Sequence, residues 1–373
     1  MVFKASYLSA LIGLQSTLMS HLAITNTPFG CLPNGTSIEK FILTNTNGVK
    51  AHIITLGGRL TELYIPDQKG KHANITMGFD SLEGYLQNDP YFGAIVGRYG
   101  NRIANASFKL DGQIYKLAAN NGPNNLHGGE EGFESKVWDA TTRKDQDAVY
   151  LELTYLSADG EEGFPGNLQV KVTYTLTETN ELKVVYHAIT DKATVVNLTH
   201  HGYFNLSGDL NTEVLDHHLQ LNAKSYLPVD IHSIPTGELR SVVDTPFDFT
   251  RMKPIGEAID ATNDQLEIGN GYDHCWVVDG LKGDLRQAAT VQELSSGRTM
   301  EVWTTEPGVQ LYTANWLDGS LENPAGGTFN RRCAFCLETQ HFPDSPNKPD
   351  FPSVRLNPGE VYNSTTVFKF GIV

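Results

Sequence analysis

Leu168-Gln-Val-Lys-Val-Thr-Tyr-Thr-Leu176 places an apolar side chain at every second position, with Gln169, Lys171, Thr173 and Thr175 between them. A side-chain period of two belongs to a β-strand with one buried and one wetted face. The same period runs through Tyr150-Leu-Glu-Leu-Thr-Tyr-Leu156 and through Thr366, Phe368, Phe370 and Ile372. Each run is bounded by turn clusters such as Asp159-Gly-Glu-Glu-Gly-Phe-Pro-Gly166 and Asp279-Gly-Leu-Lys-Gly-Asp284. Their Gly, Pro and Asp residues supply the backbone angles that reverse a chain. Helical patterns are confined to Ser81–Leu86 and Pro254–Ala261, and no linker, charge block or repeat divides the 373 residues. The expectation is an all-β fold: a single large antiparallel β-sandwich of two broad sheets packed face to face, with few short helices.

Composition removes several function classes. The chain is 40% hydrophobic and 19% charged, the proportions of a globular protein. Lys and Arg number 28 against 43 Asp and Glu, a formal net charge of −15. Such a field repels nucleic acid and anionic membranes, so neither is an expected partner. It also disfavours a phosphorylated substrate and leaves a neutral small molecule as the better match. Four cysteines are too few for a disulfide scaffold in a chain of this length. Cys333-Ala-Phe-Cys336 has no second pair with which to build a structural zinc site. It sits in a strand-like run, Cys333–Leu337, not at the strand-to-helix junction of a redox motif, so the cysteines read as ordinary buried thiols. No GxGxxG after a strand, GxxxxGK[ST], GxSxG or HExxH is present, which leaves the chemistry to side chains. Residues 5–19 follow Lys4 and are moderately apolar. They fall short of the ~20 apolar residues of a membrane span. They fit a secretory signal ending near Ser20 or Ala23, which makes residues 1–23 a candidate export segment, periplasmic or secreted; a cytoplasmic extension is the alternative.

Asn197-Leu-Thr-His-His-Gly-Tyr-Phe-Asn-Leu206 is a different kind of strand. One face would carry Asn197, Thr199, His201, Tyr203 and Asn205, the other Leu198, His200, Gly202, Phe204 and Leu206. Five hydrogen-bonding groups in a row suit the floor of a polar pocket with a titratable imidazole at its centre; a half-exposed edge strand is the plain alternative. Four further clusters are polar: Gly97-Arg-Tyr-Gly-Asn-Arg-Ile103, Asn120-Asn-Gly-Pro-Asn-Asn-Leu-His-Gly-Gly129, Gly271-Tyr-Asp-His-Cys-Trp276 and Cys336-Leu-Glu-Thr-Gln340. Gly/Asn loops are ordinarily turns. Arg98 and Arg102 suit surface or ion-pair positions, and His127 and His274 suit hydrogen bonds to backbone. Glu338 is harder to place, because a carboxylate inside a half-buried strand is costly unless paired or functional. It shares a face with Cys336 and Gln340, opposite Leu337 and Thr339. Gln310, Tyr312 and Trp316 share a face of another strand-like run. Amides, arginine, aromatics, two histidines and acids together form the inventory that satisfies a sugar's hydroxyls and stacks on its apolar face.

With Tyr226-Leu-Pro-Val-Asp230, Ile234-Pro-Thr-Gly237, Thr245-Pro-Phe-Asp-Phe249, Pro307-Gly-Val-Gln-Leu-Tyr312 and Pro343-Asp-Ser-Pro-Asn347, these clusters resemble the aldose 1-epimerase (galactose mutarotase) family over residues 24–373. The resemblance implies one mutarotase-like supersandwich with an open cleft for hexoses. It implies interconversion of the α and β anomers of free aldohexoses such as galactose and glucose, with neither cofactor nor metal. By position it makes Glu338 the catalytic base, His201 the acid and His127 a second active-site histidine. Arg102, Asn101, Asp273 and Gln310 become sugar contacts. Glu338 ionised and His201 protonated would exchange roles on ring closure. The chain departs from the family at His200-His201, where Asn-His is usual; register assigns the cleft to His201. Gly202 in place of the common Ser, and Gly100 in place of the common Ala, are expected to change little. A hexose-6-phosphate 1-epimerase would need more basic residues beside the cleft. A glycoside hydrolase needs a carboxylate pair, for which only Asp273 offers a second acid. A non-catalytic sugar-binding module has no use for both Glu338 and His201. A monomer and a weak dimer are both compatible with the sequence.

Overall fold

Leu168–Thr177 pairs antiparallel with Ala148–Ser157 on one side and Glu181–Thr190 on the other. Its Leu168, Val170, Val172, Tyr174 and Leu176 are buried while Gln169 and Lys171 are exposed, as period two requires. The computed structural model describes residues 21–87 and 90–373. The expected export segment therefore lies almost wholly outside the described residues; its last residue, Ala23, opens the strand Ala23–Cys31.

These three strands belong to a nine-stranded sheet, in the spatial order Asp139–Lys144, Ala148–Ser157, Leu168–Thr177, Glu181–Thr190, Tyr362–Ile372, Arg298–Thr304, Arg286–Gln292, His218–Leu221 and Lys253–Pro254. The opposing layer is not one broad sheet but two. A five-stranded sheet runs through Ala23–Cys31, Ser37–Thr44, Lys50–Ile54, Leu60–Pro66 and His72–Asn74. A six-stranded sheet has the order Tyr203–Phe204, Phe335–Gln340, Gly308–Tyr312, Asp273–Val277, Ser225–Leu227 and Arg240–Ser241. One core joins all three, with Phe41 and Leu63 from the first small sheet, Leu151 and Val302 from the large sheet, and Trp276, Leu311 and Leu337 from the second. Each such side chain contributes about 1.5–3 kcal/mol by leaving water.

The six-stranded sheet is held to the nine-stranded one by Phe204 on Phe368, ring centroids 5.3 Å apart, and by Thr339 Oγ1 bonded to Thr366 Oγ1 at 2.5 Å. With Leu337 and Thr339 turned inward, the alternation of the strand turns Cys336, Glu338 and Gln340 the other way. Leu82–Leu86 is helical as expected. Pro254–Ala261 is not: Pro254 pairs with His218 in the large sheet, and only the 3-10 turn Ile255–Glu257 follows. The second α-helix is Asp264–Gly269, started by Asn263, whose side chain accepts from the N–H groups of Gln265 and Leu266. The strand expected over Cys333–Leu337 begins at Phe335. All four cysteines are free thiols, and only Cys31 is exposed.

Candidate active site

Cross-strand register assembles one wall of the site. Glu338 lies opposite Gln310, which lies opposite Cys275; Cys336 lies opposite Tyr312, which lies opposite Asp273. Residues paired across antiparallel strands share a face, so Glu338 and Asp273 emerge on the same side. They line a cleft of about 560 Å³ together with Asn101, Arg102, His127 and His201, and with the rings of Tyr91, Tyr203, Tyr312 and Trp316.

The stretch 197–206 is two short strands, not one. Thr199–His200 pairs with Ile95–Val96, and Tyr203–Phe204 pairs with the start of Phe335–Gln340. The chain passes from one partner to the other at His201-Gly202, outside either ladder. Sidedness survives the break. Leu198, Phe204 and Leu206 enter the main core, and His200 packs on Tyr174 and Phe368 with neither ring nitrogen hydrogen-bonded among the described residues. On the opposite face only His201 and Tyr203 reach the cleft. Asn197 accepts from His341 N–H and donates to Gly100 O, Thr199 donates to Thr339 O, and Asn205 donates to Cys333 O and Thr212 O. Three of the five expected floor groups are therefore structural staples. The His201 ring stacks on Tyr203 (4.9 Å, 12°) and runs near-parallel to Tyr91 (5.9 Å, 15°). Its Nε2 stands 3.6 Å from Glu338 Oε2.

Two loops supply the opposite wall, joined where Arg102–Ile103 pairs with Asn125–Leu126. His127 N–H donates to Asn101 O, and Asn101 N–H donates back to His127 Nδ1, both at 3.1 Å. A backbone N–H can only donate, so Nδ1 is an acceptor and the proton of the neutral ring sits on Nε2. The next residue, Gly128, has φ +96° and a Cβ there would meet Gly97 O at 2.0 Å, so this corner admits only glycine. Most amides of the second loop brace it: Asn120 bonds Leu126 and Gly129, and Asn125 bonds Ala118. Asn121 reaches the cleft and accepts from Arg102 Nε at 3.0 Å.

Arg98 is neither a surface nor an ion-pair residue. It is buried, and its guanidinium donates to the carbonyls of Ser157, Ala158, Pro165 and Gly166. Gln310 is buried on the same face as Glu338, and its Nε2 donates to Asp273 Oδ1 at 2.8 Å. His274 takes the backbone role, accepting from Asp273 N–H. Trp316 does not share a strand with Tyr312, since the strand ends at Tyr312; the indole stands 64% exposed at the cleft rim. A Cβ at Gly202 would come 2.8 Å from the Phe204 ring, and one at Gly100 2.8 Å from Thr199 Cγ2, so a Ser or Ala in these places would require its neighbour to shift. Tyr91 and Asn121 were not singled out from sequence. Nothing local marks Tyr91, whereas Asn121 lay within a cluster already noticed.

Burial lifts the Glu338 carboxyl well above the usual range; the charge of Asp273 adds to this and that of Arg102 opposes it. Burial pushes His201 down to about 3, with His200 adding to the effect. His127 is held well below the ordinary imidazole value by burial, then by His201 and Arg102. Both shifts in the Glu338–His201 pair run toward the uncharged forms, opposite to the ionised Glu338 and protonated His201 expected from sequence. Glu338 Oε2 is buried and has no hydrogen-bond partner among the described residues. Single ligand atoms of His127, His201 and Glu338 lie within 4.8 Å of one another, the donor types of a two-histidine, one-carboxylate metal site. The Asn101 N–H argues against that use, because it leaves His127 Nε2 as a proton donor instead of a lone pair. The trio fits a ligand rich in hydroxyls.

The aldose 1-epimerase family profile matches residues 39–369. The chain is 46% identical over 352 residues to the galactose mutarotase of Bos taurus, spanning 94% of this chain and 99% of that one. It is 37% identical over 342 residues to the aldose 1-epimerase of Escherichia coli (strain K12), spanning 91% and 96%. The crystal structure of galactose 1-epimerase from Lactobacillus acidophilus NCFM superposes with a TM-score of 0.83 at 28% identity, covering 94% of this chain and 99% of that one. With the profile and these relatives spanning nearly its whole length, the chain belongs to the aldose 1-epimerase family.

Proposed function

We propose that the protein is a mutarotase that interconverts the α and β anomers of free aldohexoses, galactose and glucose among them, by opening and closing the hemiacetal ring. The observation that carries this reading is the orphaned Oε2 of Glu338: a buried carboxylate oxygen in a polar cleft, 3.6 Å from a histidine Nε2. An unsatisfied acceptor there is costly in the protein alone and is relieved by a hydroxyl donor. In this reading the C1 hydroxyl donates to Oε2, and that bond stabilises the carboxylate against the effect of burial. With the carboxylate stabilised in this way, the Glu338 proton passes to His201 Nε2, 3.6 Å away. Glu338 then takes the C1 proton, His201 Nε2 gives its proton to the ring oxygen, and the bond between C1 and the ring oxygen breaks to leave the aldehyde. Rotation about C1–C2 and closure on the other carbonyl face, with the proton transfers reversed, produces the second anomer.

The two histidines then do different work. His127 keeps its one proton on Nε2, and losing it would create an anionic ring; it polarises an oxygen by hydrogen bonding without exchanging a proton. Arg102 and Asp273 grip ring hydroxyls so that the opened chain stays in register. Asn101 holds His127, and Gln310 holds Asp273. Arg102 is the single Lys or Arg among the described lining residues, which suits a neutral sugar better than a sugar phosphate. Polarimetry of freshly dissolved α-glucose and α-galactose tests the reading. Protein that accelerates the approach to equilibrium rotation supports it; protein that leaves both at the spontaneous rate sinks it.

A further inference from the structure

Cys336 stands two residues before Glu338 on the same strand and the same face, and the chemistry above gives it no part. Its Sγ lies 3.6 Å from His201 Nδ1 and is the side-chain group that faces that nitrogen. Both side chains are buried. The His201 backbone is pinned independently, its N–H donating to Ala94 O and its carbonyl accepting from Gly93 N–H, both at 2.9 Å. The ring plane is set by the stack on Tyr203. What remains to be fixed is which nitrogen carries the proton. If His201 is to release a proton from Nε2 and take it back, Nδ1 must stay protonated, because an imidazole with its only proton on Nε2 would become an anion on losing it. The group facing Nδ1 must therefore act as an acceptor. Burial and the charges of Glu338 and Asp273 push the thiol well above its ordinary range, so the sulfur stays neutral.

We propose that Cys336 is a positioning residue for the proton-donating histidine: its sulfur accepts the Nδ1–H of His201 and thereby reserves Nε2 for proton exchange beside Glu338. A carboxylate in this place would stabilise the imidazolium and make it a poorer donor, as the orienting carboxylates of other histidines do. A neutral sulfur orients the ring without doing so, which suits proton donation to a weakly basic ring oxygen. The inference rests on the acid role proposed for His201.

The test uses full-length protein with 15N-labelled histidine, as wild type, Cys336→Ser and Cys336→Val. Wild type is expected to show His201 protonated at Nδ1. Cys336→Val is expected to lose that single tautomer and about ten-fold or more in kcat, with KM unchanged. Cys336→Ser, whose hydroxyl can accept the same bond, is expected to restore both. Cys336→Ala stands in for Val should the larger side chain prevent folding. A wild-type ring protonated on Nε2 alone, or an apolar variant with wild-type kcat, overturns the proposal. The tautomer is read without turnover, so it separates failure of this inference from failure of the mutarotase reading.

Discussion

Burial pushes the imidazoles of His200 and His201 to the same value, about 3, although they occupy opposite environments. His200 is ringed by Tyr174 and Phe368, whereas His201 faces Glu338 across 3.6 Å. Activity should therefore separate the neighbours: His200→Leu is expected to keep near-wild-type mutarotation, and His201→Ala to lose about 10²-fold or more in kcat. Equal losses in polarimetric assays would undo the assignment. Asp273 permits a second residue-level test, because its charge helps to hold the Glu338 carboxyl above the usual range. The base must be ionised to act, so kcat/KM should fall on the acid side at a pH above that of an ordinary glutamate. In Asp273→Asn, with that charge removed, this acid limb should move to lower pH even as kcat/KM drops; a pH–rate profile whose limb stays put contradicts the electrostatic coupling. Glu338 and His201 were legible because each breaks the logic of a plain core strand. Cys336 and Tyr91 were not, since a thiol or a tyrosine in a strand-rich chain is unremarkable until its neighbour is known.

At the scale of the element, one strand serves two faces. Phe335–Gln340 sends Leu337 and Thr339 into the core and Cys336 and Glu338 toward the cleft. Leu337→Ala should cost about 2–5 kcal/mol in urea unfolding, through lost burial and the cavity left behind. Its kcat, assayed where the variant is still folded, should be unchanged; a parallel fall in kcat would mean that core and cleft are mechanically coupled. Period two revealed this strand and its neighbours because it is a local property. It misread 197–206 as continuous because the break at His201-Gly202 is set by the two different partners of the halves, which local alternation does not encode. The helix Asp264–Gly269 escaped for a related reason: it is six residues long, and its clearest signal is the single cap at Asn263.

Across the whole molecule, the sandwich itself was legible from many alternating runs separated by turns. The division of its second layer into five- and six-stranded sheets was not, since it depends on pairings between distant segments such as Tyr203–Phe204 with Phe335–Gln340. Burial of several histidines makes the stability of this fold depend on pH. His200 and His274 are pushed to about 3 and His217 to about 4, from an ordinary 6.5. Depressed folded-state values contribute stability that is complete above 6.5 and is lost progressively as pH falls from 6.5 toward the folded values, at up to ~1.4 kcal/mol per pH unit for each group. The raised carboxyls of Glu338 and Asp344 act in the opposite sense, contributing stability at low pH that is lost as pH rises. Comparing Tm between pH 7 and 5 isolates one histidine: relative to wild type, His200→Leu should gain as pH falls, and parallel curves would show that His200 is not kept neutral by the fold. The most direct measurement on the catalytic centre is the optical rotation of freshly dissolved α-galactose, followed with wild type and Glu338→Gln side by side. Acceleration by wild type, with the spontaneous rate for Glu338→Gln and galactose binding still detected by calorimetry, is the expected result; near-wild-type kcat in Glu338→Gln would contradict Glu338 as the base that opens the ring.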